Sequence, residues 1–189
     1  MDLYLHVRVL FSIILGLGIS HLLRGVAKIV QHPGKYRVYW VQLVWVLFLF
    51  LYMIHFWWWE FRLHQITEWT FPLYFFVAVY SVLLYLLCTL LFPEEMGEYE
   101  SYEDYFYARK GWIFSLLTIL FMADMGDTLV KGSVYFRSLG FFYYIRTLLC
   151  LGLSIAAIKV KDRRFHAGFA IFATAYEVVL IVKSYLTVQ

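Results

Sequence analysis

The sequence predicts an all-α fold, a polytopic integral membrane protein with six transmembrane helices in a single domain spanning residues 1–189. Two compositional observations lead to this prediction: 63% of the residues are hydrophobic and only 15% are charged, whereas a soluble domain has roughly 25% charged residues. The third observation is that six stretches each supply the roughly 20 apolar residues that cross about 30 Å of hydrocarbon. Each stretch must be helical, because lipid offers backbone groups no hydrogen-bond partner.

The predicted spans, in chain order, are residues 9–30, 40–59, 71–92, 112–130, 139–157 and 165–186. The first is too long for a secretory signal, follows Asp2 and has no small-residue cleavage site before Lys28. It is therefore predicted to stay in the mature protein. Tryptophans gather at membrane interfaces, and they bound the spans on one side at Trp40 and Trp112 and on the other at Trp57, Trp58, Trp59 and Trp69.

Basic residues near the span ends predict the orientation of the chain. The side with the first, third and fifth loops has nine: Lys28, Lys35, Arg37, Arg109, Lys110, Lys159, Lys161, Arg163 and Arg164. The other side has five: Arg8, Arg62, Lys131, Arg137 and Lys183. Because basic loops stay in the cytoplasm, we expect both termini outside, with the protein in a bacterial inner membrane.

The longest polar segment, residues 93–110, is predicted to be a solvated loop between two halves, residues 1–92 and 111–189. It interleaves acids with tyrosines, at a spacing that matches no calcium loop: Glu94, Glu95, Glu98, Glu100, Glu103, Asp104, Tyr99, Tyr102, Tyr105 and Tyr107. A constant offset of 103 residues sets His21 over Asp124 and Arg24 over Asp127. This alignment predicts a 3+3 inverted repeat, since three spans per half reverse the direction of the second half.

Several ionisable side chains lie deep inside the predicted spans, where a charge costs roughly 2.5 to 3.5 kcal/mol and normally faces a partner or a pathway. At 1.5 Å per residue, we expect His21 to meet Asp124 near the midplane and Arg24 to reach Glu177. The complete predicted set forms two layers, one of His21, Arg24 and Glu177 and one of His55, Asp124, Asp127 and Arg146.

Such a polar chain predicts a channel or transporter for protons or small ions, because histidine titrates near neutral pH and buried carboxyl groups can hold protons. A metal-dependent intramembrane hydrolase acting on a lipid is an alternative, in which His21, His55, Asp124 and Asp127 are the candidate ligands. No helix carries histidines at i and i+4, and no serine has a histidine at a diagnostic spacing, so no catalytic residue is assigned. The ion pairs could also be purely structural.

A third alternative is a non-catalytic sensor or assembly subunit. Gly16 and Ser20 have the spacing that lets two helices approach closely, and a homo-oligomer is expected because six short spans leave little room for a pore in one copy. The predicted partners are therefore the lipid bilayer and further copies of the chain. Nucleic acid is not expected, since the net charge of +3 comes from scattered loop residues. Cys88 and Cys150 lie inside spans and indicate neither a disulfide framework nor a zinc motif, and no cofactor is identified.

Overall fold

The computed structural model describes residues 3–60, 69–130 and 140–186. Within these ranges the chain forms six helices: α1 Leu3–Gln31, α2 Trp40–Trp59, α3 Phe71–Leu91, α4 Tyr102–Val130, α5 Gly140–Lys159 and α6 Arg163–Leu186. The prediction of an all-α fold with six helices is confirmed for this part of the chain. An isolated bridge between Arg37 and Ser101 is its one extended pairing there.

Five of the helices are long and apolar enough to cross a membrane: Leu5–Gln31, Trp40–Trp59, Phe71–Leu91, Tyr102–Leu129 and Arg163–Lys183, counted over the described residues. All six helices direct large apolar side chains outward, as Leu17, Leu47, Phe75, Ile119, Leu148 and Val178 illustrate. A soluble monomer rarely exposes so continuous an apolar surface. The helices are therefore compatible with an integral membrane protein.

Two helix starts have side-chain caps. Ser101 Oγ accepts a hydrogen bond from the Asp104 backbone N–H at 3.1 Å and donates to Asp104 Oδ2 at 2.7 Å. The Asp162 carboxylate accepts from the backbone N–H groups of Arg164 and Phe165. These caps satisfy donors that the first turn of a helix leaves unpaired. Because of the Ser101 cap, α4 begins ten residues before the predicted start at Trp112, and much of the predicted 93–110 loop is helical.

The helices pack in a chain of neighbours: α1 on α3, α3 on α4, α4 on α5, and α2 mainly on α6. Trp45 is at the centre of the core, with its ring 5.5 Å from that of Phe114 and 5.0 Å from that of Phe169, edge on in both cases. Offset and edge-to-face arrangements of this kind are the favoured geometries of aromatic pairs. The core thus joins α2, α4 and α6.

Every helix crosses the bundle, which therefore has two ends. We call the end with Glu60, Phe71 and Val130 the cluster end, and the end with Gln31, Leu91 and Lys159 the loop end. In the first half α1 packs mainly on α3, whereas in the second half α4 packs mainly on α5. In a 3+3 repeat, α4 would pack mainly on α6, as α1 packs mainly on α3. The two halves pack differently, so the predicted repeat is not shown.

A buried cluster of acids and tyrosines at one end of the bundle

The two candidate site residues of α1, His21 and Arg24, lie at the loop end. His21 Nε2 is 3.4 Å from the backbone oxygen of Phe92, the first residue after α3. A Cβ added to Gly25 would overlap the Phe92 ring, so this turn of α1 is level with the end of α3. The Arg24 side chain is exposed. Both residues lie nearer to the loop end than the predicted depths, because α1 begins at Leu3 rather than at residue 9 and extends beyond the end of α3.

At the cluster end, five helices contribute polar side chains to one cavity of about 120 Å³. The spacing of Tyr52, His55, Phe56 and Trp59 puts them on one face of α2, and the same periodicity holds for Asp124, Asp127 and Thr128 of α4. The lining residues in the described part of the chain are Tyr52, His55, Phe56, Trp59, Glu60, Tyr80, Asp124, Asp127, Thr128, Tyr143, Arg146, Glu177 and Leu180.

Asp124 is the centre of the hydrogen-bond network. Its Oδ1 lies 3.2 Å from the Tyr52 hydroxyl oxygen and 3.4 Å from that of Tyr80. Its Oδ2 accepts from the Tyr143 hydroxyl at 3.2 Å and from Arg146 Nη1 at 3.3 Å. The Tyr52 and Tyr80 hydroxyl oxygens are 2.7 Å apart. Since a phenol has a single proton, one of these two tyrosines donates to Asp124 and the other donates to its neighbour.

An ionic chain continues from Asp124 across the cluster. Arg146 Nη2 is 3.6 Å from Glu177 Oε2, and Glu177 Oε1 is 2.5 Å from His55 Nδ1. The guanidinium also lies over the ring of Tyr143 at 5.8 Å and over that of Tyr176 at 5.5 Å. Asp124, Arg146, Glu177 and His55 therefore tie together α4, α5, α6 and α2.

Both acidic and basic side chains line this cavity. Among the described residues they are Glu60, Asp124, Asp127, Glu177, Arg146 and His55. Arg146 is 5% exposed and Glu177 is 1% exposed. Removing a charge from water is unfavourable unless it is paired. Arg146 and Glu177 are therefore held in the cluster by ion pairs with each other, with Asp124 and with His55.

The pairing of Arg24 with Glu177 predicted from depth is wrong, because Glu177 contacts His55 and Arg146 instead. The predicted meeting of His21 with Asp124 is also wrong. Tyr102 packs edge on against Phe92 at the loop end, and Asp124 is about 33 Å further along α4 at 1.5 Å per residue.

Packed apolar side chains fill the space between the cluster and the loop end. Met53, Leu84, Cys88, Leu120 and Phe121 are all 0% exposed. Cys88 Sγ donates to the Met53 sulfur at 3.3 Å within this layer. These apolar side chains separate the seven candidate residues into two groups, with His21 and Arg24 at the loop end and the other five at the cluster end.

The four candidate metal ligands do not converge. His21 is at the loop end, whereas His55, Asp124 and Asp127 line the cavity. In residues 3–60, 69–130 and 140–186, no group of three or more histidine, cysteine, aspartate and glutamate side chains has a geometry that could hold a metal ion.

The loop end has a separate set of buried polar contacts. Lys110 Nζ donates to the backbone oxygens of Ala157 at 3.3 Å and Ile158 at 2.5 Å, at the C-terminus of α5. A cation there interacts favourably with the helix dipole. His166 Nε2 is 2.9 Å from the Val160 oxygen, and burial raises the pKa of the Tyr39 phenol above its ordinary range. These contacts join the ends of neighbouring helices.

Sequence reasoning missed the tyrosines of the cluster and Glu60. Tyr52 stands three residues before His55, and Tyr143 stands three residues before Arg146. This spacing puts each tyrosine beside an ionisable residue on the same helix face. It is the feature of the sequence from which these tyrosines could have been predicted as part of the site. Comparisons of the chain with protein-family models, with curated proteins and with solved structures give no match.

Proposed function

We propose that this chain is an integral membrane transporter that binds protons or small cations in the cavity at the cluster end. The observation that carries the proposal is the ionic chain of Asp124, Arg146, Glu177 and His55, which lines a cavity of about 120 Å³ among the described residues. Ionisable residues within a membrane characteristically mark ion pathways and proton relays. The ionic chain from Asp124 to His55 offers several neighbouring sites between which a proton or cation can be exchanged.

A transporter fits better than an open channel. Within the described part of the chain, a fully buried apolar layer that includes Leu84, Leu120 and Phe121 lies between the cavity and the loop end. A transporter needs no permanent route, since it opens its site alternately to the two sides of the membrane. The proposed cycle therefore includes a rearrangement of this apolar layer.

We further propose a bacterial inner membrane location with both termini outside, which puts the cavity near the outer surface. The greater number of basic residues in the loops at the loop end supports this orientation. Exposure of Trp40 at the start of α2 also suits an interfacial position there. A homo-oligomer is proposed as well, and the exposed positions of Gly16 and Ser20 on α1 are consistent with close helix approach.

The experiment is a flux measurement on protein reconstituted in liposomes, between about pH 5 and 8, where histidine changes charge. We expect wild type to carry protons or monovalent cations down an imposed gradient, and Asp124→Asn and Glu177→Gln to reduce that flux at least tenfold. Glu98→Gln, which neutralises an exposed carboxyl group at the loop end, is the matched control and should leave flux unchanged.

Absence of flux under every gradient would refute the proposal. Equal flux in wild type, Asp124→Asn and Glu177→Gln would also refute it. Loss of stability in Asp124→Asn and Glu177→Gln, without any wild-type flux, would instead assign the cluster a purely structural role. Elemental analysis of the same preparation tests the hydrolase alternative, which requires stoichiometric bound metal that is lost in His55→Ala.

A further inference from the structure

We propose that a second cavity, at the loop end, binds the headgroup of a zwitterionic phospholipid with a primary ammonium, that is, phosphatidylethanolamine. Lipid binding of this kind does not depend on cation transport and requires only the membrane location proposed above. Four features of the described residues lead to it: a row of basic side chains on α1, acidic side chains that line the same cavity, the separation of these opposite charges, and the position of the cavity beside helix ends.

The last turns of α1 carry a basic row on one face, which consists of Arg24, Lys28 and His32. Arg24 and Lys28 are four residues apart, and the His32 backbone N–H donates to the Lys28 oxygen at 3.2 Å, so the helical spacing continues to His32. All three side chains are exposed. Arginine and lysine make strong, charge-assisted hydrogen bonds to phosphate oxygens. This face of α1 therefore offers several donors to one phosphate group.

The loop-end cavity brings this basic row together with acidic side chains. Lys28, His32 and Lys35 line it from α1 and the loop that follows, and Glu94 and Glu95 line it from the segment after α3. Its volume of about 610 Å³ has room for roughly 20 water molecules at about 30 Å³ each, which exceeds the size of a phosphoethanolamine group. A headgroup with both a phosphate and an ammonium finds partners of both signs here, whereas a purely anionic headgroup would lie beside two carboxylates.

The opposite charges that line the loop-end cavity do not pair with one another. In the part of the chain that the structure describes, no ion pair joins the basic row or Lys35 to Glu94 or Glu95. Lys28 Nζ donates instead to the Glu94 backbone oxygen at 3.0 Å, and Lys35 Nζ lies 5.5 Å from the centre of the Tyr36 ring. The carboxyl groups and the basic groups therefore share one cavity without neutralising each other directly, and a zwitterion bound between them would pair with both.

The loop-end cavity lies where lipid headgroups are expected. Its residues follow the end of α3 at Leu91 and precede the start of α2 at the exposed Trp40. Gly25 of α1 is level with Phe92, so Lys28 is roughly 5 Å further along at 1.5 Å per residue. The headgroup layer is roughly 5–7 Å thick on each side of the hydrocarbon. A lipid can therefore place its phosphate and ammonium in the cavity while its chains stay beside the apolar helices.

The carboxyl groups of the cavity distinguish between zwitterionic headgroups. A primary ammonium has three N–H donors, which the exposed Glu94 and Glu95 carboxylates can accept, whereas the quaternary ammonium of phosphatidylcholine has none. Quaternary ammonium groups are instead recognised by aromatic cages. Tyr36 already lies beside Lys35 and packs edge on against Tyr102 with ring centres 6.3 Å apart. The cavity therefore favours phosphatidylethanolamine over phosphatidylcholine.

The test is native mass spectrometry on the delipidated full-length chain in detergent, titrated with phosphatidylethanolamine, phosphatidylcholine and phosphatidylglycerol that have identical acyl chains. Identical chains make the contribution of the apolar helix surface equal, so differences in affinity report the headgroup. We expect phosphatidylethanolamine to bind about fivefold more tightly than either other lipid, a difference of about 1 kcal/mol. Soluble phosphoethanolamine should bind at least about tenfold more weakly than the lipid.

Two double variants separate the phosphate partners from the ammonium partners. Arg24→Gln with Lys28→Gln should weaken the binding of phosphatidylethanolamine and of phosphatidylcholine about tenfold, because both lipids lose donors to the phosphate. Glu94→Gln with Glu95→Gln should lower the affinity for phosphatidylethanolamine to that for phosphatidylcholine and leave the latter unchanged. All four side chains are exposed, so these variants should fold.

Matched controls change exposed charges outside the loop-end cavity and should bind all three lipids like wild type: Arg164→Gln for the basic variant, and Glu98→Gln with Glu100→Gln for the acidic one. Equal binding of the three lipids would overturn the proposal, and so would tighter binding of phosphatidylglycerol. Soluble phosphoethanolamine that binds as tightly as the lipid would overturn the lipid as the ligand. The titration uses no ion gradient, so its result is independent of whether the chain transports cations.

Discussion

At the scale of single residues, Arg146 is the side chain on which the cluster depends most. It lines the cavity together with the carboxyl groups, and it contacts both Asp124 and Glu177. Double replacement of a buried ion pair by apolar groups is often tolerated, whereas removal of one partner leaves an uncompensated charge. The stability of the bundle and the charge state of the cavity are therefore coupled through this residue.

Arg146→Met should destabilise the protein by about 3–5 kcal/mol, because it leaves the Asp124 and Glu177 carboxyl groups buried without their cation. Thermal unfolding in detergent, followed by circular dichroism, measures the loss. The triple variant Arg146→Met, Asp124→Asn, Glu177→Gln should recover part of the stability, since it buries no unpaired charge. An unfolding temperature for Arg146→Met equal to that of wild type would contradict the assigned ion pairs.

Lys110 caps the C-terminus of α5 at the loop end. Its Nζ donates to the last carbonyl groups of α5, which the helix itself leaves without partners. Lys110→Met keeps much of the side-chain volume and removes the donor, so it should reduce stability by about 1–3 kcal/mol. The same unfolding assay applies, with exposed Lys161→Met as the control, and equal stability of the two variants would argue against the cap.

At the scale of helices, the first helix divides its glycines between two surfaces. Gly18 and Gly25 face the neighbouring helices, where added Cβ atoms would meet Met53 and Phe92, while a Cβ at Gly16 would meet nothing within 4 Å. The small-residue surface expected from sequence is thus divided between an inner packing face and an outward face. The inner glycines allow α1 to approach α3 closely.

Gly25→Ala and Gly16→Ala form a matched pair that tests this packing. The Cβ at position 25 would overlap the Phe92 ring, and overpacking of this kind typically costs about 1–3 kcal/mol. Gly16→Ala should be neutral or stabilising by up to about 1 kcal/mol, because alanine favours the helix. Chemical denaturation in mild detergent gives both values. Destabilisation of Gly16→Ala alone would reverse the assignment of the two faces.

At the scale of the whole molecule, the outer surface of the bundle is apolar while charged groups gather at its two ends. The loop end presents exposed Lys28, Lys35 and Arg37 near exposed Glu94 and Glu95, and the cluster end includes the cavity with its ionic chain. A bilayer would cover the apolar surface and leave the loop end in water. The proposed orientation puts this end in the cytoplasm.

Cysteine labelling tests the orientation. The native cysteines, Cys88 and Cys150, are buried, so they should contribute little background. Glu95→Cys at the loop end should resist a membrane-impermeant maleimide in intact cells and react after lysis, whereas Thr70→Cys at the cluster end should react in both. The opposite pattern would invert the proposed orientation, and equal reaction of both sites in intact cells would exclude a membrane-spanning bundle.

The fold class and the order of helices could be predicted from sequence because they depend on local properties, namely apolar length and composition. The seven candidate residues were also identifiable, since ionisable groups are rare in such helices.

His21 with Arg24 and Asp124 with Asp127 show the same three-residue spacing in an apolar stretch, and sequence alone does not distinguish the two pairs. Tertiary structure separates them: α1 extends past the end of α3, so its pair lies at the loop end, whereas Asp124 is surrounded by residues from α2, α3 and α5. Depth and partners depend on where neighbouring helices end and which faces they turn inward, and those are properties of the packed bundle rather than of any one segment.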